Sequence, residues 1–368
     1  MGASTLSTVM TDAPEPAPER PRGQAVVIAG ASAGGVEALV HLVRSLPADF
    51  PHAMLIVLHV SPSGTSVLPA ILARACRLPV CAPADGEELS PGHVYVAPPD
   101  SHLVVEDSHL RLSQAPRENG HRPAIDPTMR TAANAYGGAT IGIVLSGSRD
   151  DGTAGLIAIK ARGGIAIVQD PEEALYPAMP LSAIAHAEPD AVLPVAAMAR
   201  WILQHNVQTN RAPTSSQSPT NPTRPTNPGN PTASIDTHLA VIDTEDDPPG
   251  SATGDGTRYT CPDCGGVLFE RHEGLLERFE CRVGHVFSIE SLSSAQADAL
   301  ENALWAAVRS LEDRAALLRR LAGGGRDGDG LRAAAAFERQ ADDAFERART
   351  IRGTIQNSSD DRAIAAEP

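Results

Sequence analysis

Between Gln24 and about Asn206 the chain alternates short, nearly unbroken apolar runs with longer stretches in which apolar residues return every three or four positions. The runs "AVVIAG", "AMLIVLH", "ATIGIVLSG" and "GIAIVQD" read as strands buried on both faces of a parallel sheet. The segments between them, "GGVEALVHLVRSL", "SVLPAILARAC", "DPTMRTAANAYG" and "GTAGLIAIKARGG", carry helical periodicity. Strand–helix–strand alternation predicts an α/β fold, a doubly wound and mostly parallel sheet with flanking helices. Three further runs, "HVYVAP", "HLVVED" and "HLRLSQ", predict a small antiparallel insertion.

Outside this domain, expected over residues 23–206, the pattern changes. Residues 1–22 are rich in Ala, Pro, Ser, Thr and Glu and are expected to be a disordered tail. Residues 207–257 include "NRAPTSSQSPTNPTRPTNPGNPTAS", a low-complexity stretch that cannot bury a core and reads as an extended linker. Residues 258–290 hold a Cys/His cluster and short alternating runs, expected to be a small zinc-binding module. Two amphipathic stretches over 291–356 predict an antiparallel helical hairpin, with a disordered tail over 357–368.

Composition narrows the reading. Of the 368 residues 42% are hydrophobic but only 3% aromatic, so the core must be aliphatic. The net charge of −15 argues against a phosphate-backbone partner, which needs clustered Lys and Arg, so no nucleic acid is expected. No basic-then-apolar leader opens the chain, and no apolar run nears the roughly 20 residues of a spanning helix, so no membrane insertion is expected. Five cysteines, three of them clustered late, suit a reducing cytoplasmic compartment and a metal site better than a disulfide framework.

Candidate chemistry sits at strand ends. In "IAGASAGGVEAL", Ser32 lies in a small-residue turn between a strand and a helix, where helix N-terminal N–H groups could hold an oxyanion. Taken alone, this could equally be a phosphate-binding glycine loop or an N-cap serine. His59 ends the second strand, and Asp150 and Asp151 follow a later one; singly, each reads as a structural residue or a helix cap. In an open parallel sheet, however, the strand C-termini share one edge, where ligands bind. Ser32, His59 and Asp151 could meet there as nucleophile, base and orienting carboxylate. Asp150 is the alternative carboxylate, and His93, His102 and Asp100 form a rival set within the insertion.

The motifs "GASAGGVEAL", "LHVSPSGTSVLPAIL", "GHVYVAPPDSHLVV", "RPAIDPTMRTAA" and "VLSGSRDDGTAGL" appear in order over about residues 24–205. This series resembles the catalytic domain of CheB-type protein-glutamate methylesterases. The resemblance implies a serine hydrolase that needs no cofactor for catalysis. Its substrate would be the glutamate γ-methyl esters of chemoreceptors, with release of methanol, and it could also deamidate receptor glutamines. Motif by motif, the family's triad falls on Ser32, His59 and Asp151. The oxyanion donors would be N–H groups near Ala33-Gly34 and near Ser148. Members often carry Met-Gly where this chain has Ser148-Arg149, which bears on substrate choice more than on reaction type. Many also carry a receiver domain first; the short tail here predicts no receiver control within this chain. Two readings compete with the methylesterase: a signalling scaffold that works by binding alone, and a hydrolase of a different ester.

In the last module, Cys261-x-x-Cys264 and Cys281-x-x-x-His285 form two pairs of soft ligands suited to a tetrahedral structural zinc. Free thiols are the plain alternative. His272 is badly spaced as a ligand, and Cys76 and Cys81 read as core residues. The module resembles the tail of some stand-alone family members. It is expected to dock a receptor, kinase or other chemosensory protein, so that deleting 258–368 leaves hydrolysis intact.

Overall fold

Six consecutive buried residues, Val26–Ala31, form β1, and its two faces explain the layering of the first domain. Val27, Ala29 and Ala31 pack towards one set of helices, whereas Val26 and Ile28 pack towards another. The computed structural model describes residues 24–205, 256–273, 276–323 and 328–365. The expected tail over 1–22 lies outside the described residues, as does the expected linker up to residue 255.

In chain order the elements are β1, α1 (Gly35–Ser45), β2 (Ala53–Leu58), α2 (Leu68–Ala75), β3 (Val80–Cys81), β4 (Glu87–Glu88), β5 (Val94–Val96), β6 (His102–Glu106) and β7 (His109–Ser113). There follow α3 (Ile125–Tyr136), β8 (Thr140–Val144), α4 (Thr153–Ala161), β9 (Ile165–Gln169), α5 (Ala178–Ala187), β10 (Ala191–Leu193) and α6 (Val195–Gln204). Seven of these strands form one sheet in the order β10-β9-β8-β1-β2-β5-β3, every pairing parallel. Helices α1, α2 and α6 cover one face and α3, α4 and α5 the other, so this is the expected doubly wound sandwich. After β1 the chain winds outward through β2 and then returns to lay β8 on the other side of β1. That reversal opens a crevice beyond the C-terminal ends of β1, β2 and β8.

The expected insertion is smaller than the sequence pattern implied. "HVYVAP" does not join it: Val94–Val96 is buried on both faces and pairs with β2 and β3 in the main sheet. Only β4, β7 and β6 make the antiparallel ribbon. Full burial on both sides, rather than alternation, is what assigns a strand to the centre of a parallel sheet.

The last part of the chain holds an antiparallel sheet of β11 (Gly256–Thr260), β12 (Val267–Glu273), β13 (Leu276–Cys281) and β14 (Val286–Ser288), then α7 (Ile289–Ala322) and α8 (Gly328–Ala365). Ala315 and Leu318 pack on Ala341 and Ala344, while Val308 packs near Ala348 and Ile355, the arrangement of an antiparallel hairpin. Helix α8 runs to Ala365, into the segment expected to be a disordered tail. "NSSDDRAIA" contains neither Gly nor Pro, so nothing in it stops a helix already under way.

Close approach of α3 to β1 depends on Gly30. A Cβ there would lie 2.4 Å from Ile125 Cγ2, with two more Ile125 carbons within 2.8 Å. Because Ile125 is β-branched and buried in α3, it cannot swing aside. Gly30→Ala should therefore lower stability by about 1–3 kcal/mol, measured by urea denaturation.

Candidate active site

The crevice at the strand ends brings together the three residues expected from the sequence. Ser32 follows β1, His59 follows β2 and Asp151 precedes α4. His59 Nδ1 lies 3.1 Å from Ser32 Oγ, and His59 Nε2 lies 2.7 Å from Asp151 Oδ2. Asp151 is an acceptor, so the imidazole proton sits on Nε2 and Nδ1 is left to accept the Ser32 hydroxyl. This is the hydrogen-bond order a general base needs before it can take a serine proton.

Asp151 is held from every side. Oδ2 also accepts the Ile125 N–H at 2.7 Å, while Oδ1 accepts Asn119 Nδ2 at 2.9 Å and the Asp126 N–H at 3.3 Å. Burial works to raise its pKa, but the hydrogen bond and charge of His59 and the Ile125 N–H outweigh it and hold the carboxyl well below the usual range. Asp150 is not the orienting group: its Oδ1 has no hydrogen-bond partner among the described residues, and burial pushes its carboxyl up.

The nucleophile turn is shaped by its neighbours. Gly34 sits at φ 68°, and a Cβ there would meet Leu175 Cβ at 2.8 Å and Ser146 Oγ at 2.9 Å. Ser146 Oγ donates to the Ala33 carbonyl at 2.8 Å and accepts the Tyr176 N–H, fixing the turn from the β8 side. The Ser32 N–H donates to Ser146 O and that of Gly35 to Ser32 O. Among the described residues no carbonyl takes up the intervening N–H groups of Ala33 and Gly34. Both are candidate donors to an oxyanion formed beside Ser32.

Ser32 and His59 open into a cavity of about 370 Å³ lined also by Val60, Pro62, Arg117, His121 and Arg122. His121, which sequence reasoning missed, stacks on His59 with ring centroids 3.7 Å apart and planes 9° apart. Burial first, then the His59 charge, lowers its pKa from 6.5 to about 3, so His121 stays neutral beside an imidazolium. The rival set does not form a triad. His102 is buried and accepts the Ala124 N–H, half-buried His93 lies against Pro91 O, and Asp100 pairs with Arg122.

Beneath Asp151 lies a second layer that no spacing in the sequence announces. Asn119, at φ 53°, donates through Nδ2 to both Asp126 Oδ2 and Asp151 Oδ1. Asp126 also accepts the N–H groups of Gly152 and Gly155, which open α4. Burial and then the Asp151 charge push Asp126 up, with Arg278 the strongest counterweight. Arg278 comes from β13 of the C-terminal module; it is 3% exposed, and its Nη1 donates to Asp126 Oδ2 at 3.0 Å. Its Nη2 donates to Glu118, which is also paired to Arg130 through both oxygens at 2.7 Å. The same module touches the pocket loop elsewhere. The Asn119 N–H donates to Val286 O at 2.7 Å, and Asn119 Oδ1 accepts Ser288 N–H and Ser291 Oγ.

The Cys/His cluster closes as the spacing predicted. One ligand atom each from Cys261, Cys264, Cys281 and His285 lies within 4.8 Å of the others. The edges are 3.6 Å for Cys264 to Cys281 Sγ, and 3.7 and 3.5 Å from His285 Nδ1 to Cys261 and Cys281 Sγ. A tetrahedron with metal–sulfur bonds of about 2.3 Å has sulfur–sulfur edges near 3.8 Å, so the cluster fits zinc. Gly265 at φ 72° and Gly284 at φ 100° turn the two knuckles. His272 is exposed beside Glu270 and stands outside the cluster. Cys76 and Cys81 pack against the two faces of the main core.

Residues 26–202 match the protein family described as CheB methylesterase. A Chromohalobacter salexigens protein named protein-glutamate methylesterase/protein-glutamine glutaminase is 39% identical over 43% of this chain and 46% of its own length. A Leptospira interrogans protein, named provisionally for the same two activities, is 39% identical over 46% of this chain and 88% of its own. The crystal structure of the Thermotoga maritima CheB methylesterase catalytic domain is 34% identical and aligns with 49% of this chain and 97% of that one, at a TM-score of 0.47. The chain spans about half the length of the first relatives it matches, 46% and 50% for two of them. No helix among the described residues is long and apolar enough to cross a membrane.

The His121 environment has a pH consequence. Its folded pKa lies below the unfolded 6.5, so it contributes stability that is present above that pH and lost as the pH falls towards about 3. The loss is worth up to about 1.4 kcal/mol for each pH unit over which only the unfolded chain binds the proton. His121→Phe keeps a stacking ring without the titration, so it should lose at least about 1 kcal/mol less than the parent between pH 6.5 and 4, read by urea melts.

Proposed function

Because the chain belongs to the CheB methylesterase family, we propose that it is a protein-glutamate methylesterase that hydrolyses γ-methyl esters on a chemoreceptor or chemoreceptor-like protein, with glutamine deamidation as a second activity of the same site. The observation that carries this reading is the continuous hydrogen-bond chain from Ser32 Oγ through His59 to Asp151.

In this mechanism His59 Nδ1 takes the Ser32 proton as Oγ attacks the ester carbonyl, and Asp151 stabilises the resulting imidazolium. The N–H groups of Ala33 and Gly34 receive the oxyanion. His59 returns the proton to the departing methoxide, releasing methanol and leaving an acyl-serine. Water then attacks that ester with His59 again as base, giving the free glutamate and restoring Ser32. Neutral His121 covers one face of the imidazole without opposing its charge. Arg117 in the cavity wall suits a substrate segment that carries a neighbouring carboxylate, whereas Arg122 beside it is already paired with Asp100. An intact triad favours this enzyme over a binding-only scaffold.

The C-terminal cluster is assigned a structural zinc held by Cys261, Cys264, Cys281 and His285, with no part in the chemistry. Its cysteines form no disulfide, which suits a reducing cytoplasm. Exposed Leu300, Leu317, Leu321 and Phe345 on the two long helices suit docking to another chemosensory protein.

Two measurements test these assignments. Methanol release from a methylated chemoreceptor fragment should be abolished in Ser32→Ala; release that persists contradicts the nucleophile, and none from the parent contradicts the substrate. The purified chain should carry one equivalent of zinc by plasma mass spectrometry, and Cys281→Ser should lose it. A metal-free parent with a Cys264–Cys281 disulfide is the contrary result.

A further inference from the structure

The catalytic domain matches its family over residues 26–202, yet a charged side chain from far outside that span is buried beneath its triad. We propose that Arg278 is a positioning residue for the esterase, so that the C-terminal module, whatever its long helices dock, is a working part of the catalytic unit. The proposal rests on the Ser32–His59–Asp151 reading but not on which ester is the natural substrate.

Three observations carry it. First, Arg278 forks between two carboxylates, Glu118 and Asp126, that are themselves 5% and 0% exposed. Asp126 shares Asn119 Nδ2 with Asp151 and fixes the Gly152 and Gly155 N–H groups directly after it. Removing Arg278 leaves a buried carboxyl group without its guanidinium donor, and that group is bridged to the triad aspartate by Asn119 Nδ2. Second, Asn119 links the two parts directly. Its Oδ1 accepts from Ser288 and Ser291 at the start of α7 while its Nδ2 grips Asp151. Third, the pocket loop is stitched to β14 by backbone hydrogen bonds, Asn119 N–H to Val286 O at 2.7 Å and Val286 N–H to Arg117 O at 3.4 Å. Arg117, Gly120, His121 and Arg122 of that loop line the cavity. The cluster of Cys261, Cys264, Cys281 and His285 closes β13 three residues beyond Arg278 and so fixes the strand that delivers the guanidinium.

This arrangement bears on the expectation that loss of residues 258–368 leaves hydrolysis intact: the module supplies a cation and three hydrogen-bond partners to the layer that holds Asp151. Asn119, Asp126 and Glu118 lie within the catalytic domain, but part of what satisfies each of them does not.

The test uses the full chain and p-nitrophenyl acetate, a small activated ester that reports on the triad without a receptor. Arg278→Met and Arg278→Lys are compared with the parent, each rate divided by the active sites counted from the acylation burst. A merely structural role would lower the number of sites and leave the rate per site unchanged. Arg278→Met should lower kcat per site by on the order of tenfold to a hundredfold, with KM within about twofold, because the loss is in alignment rather than binding. Arg278→Lys keeps the charge without the fork and should recover part of the rate. Equal kcat per site in Arg278→Met and the parent would overturn the proposal alone. A parent that neither bursts nor turns over p-nitrophenyl acetate would overturn the triad reading, and this proposal with it.

Discussion

Everything about the site depends on keeping one carboxylate, Asp151, charged and motionless at 2% exposure. An ionised group in that position is tolerated only when hydrogen bonds and opposite charge replace the lost water. Four donors do so: His59 Nε2, the Ile125 and Asp126 N–H groups, and Asn119 Nδ2. The start of α3 thus faces Asp151, and Gly30 lets α3 come close enough to β1 to do it. The imidazole is in turn locked in one tautomer, which leaves Nδ1 open to Ser32. Ser32 and His59 directly follow two neighbouring parallel strands, β1 and β2, and Asp151 lies in the loop between β8 and α4, so the edge of the sheet brings the three together.

The same demand explains the layer beneath. A charged Asp151 beside Asp126, Asp150 and Glu118 is an unfavourable cluster unless cations accompany it, and Arg130 and Arg278 are those cations. One comes from α3 and the other from a strand more than a hundred residues downstream, closed by a cysteine cluster. A small module whose Cys/His cluster closes two tight turns can present a guanidinium from β13 without needing a large core.

Much of this was legible in the sequence. Continuous apolar runs marked the central strands β1, β2, β8 and β9, and small residues after β1 marked Ser32 as special. The position of His59 and Asp151 at strand ends followed from the rule that parallel strands share one functional edge. Ligand spacing alone identified Cys261, Cys264, Cys281 and His285. What stayed hidden was tertiary. Asn119, His121 and Asp126 lie in a loop and a helix start without a repeating pattern, and an Asp or Asn there reads as an ordinary turn or cap. Arg278 carries no sequence signal at all, since nothing local says that its strand lies against another domain. Short β5 was misassigned for a related reason: three residues are too few to separate alternation from full burial.

The central claim is that Asp151, through His59, makes Ser32 the reactive nucleophile. The most direct measurement is the rate and site of labelling by a fluorophosphonate, followed by mass spectrometry, in the parent and in Asp151→Asn. The account predicts a single adduct on Ser32 in the parent and labelling slowed by at least about a hundredfold in the variant, since an amide at that position selects the wrong tautomer. An adduct on another residue, or an equal rate in the two proteins, would contradict it.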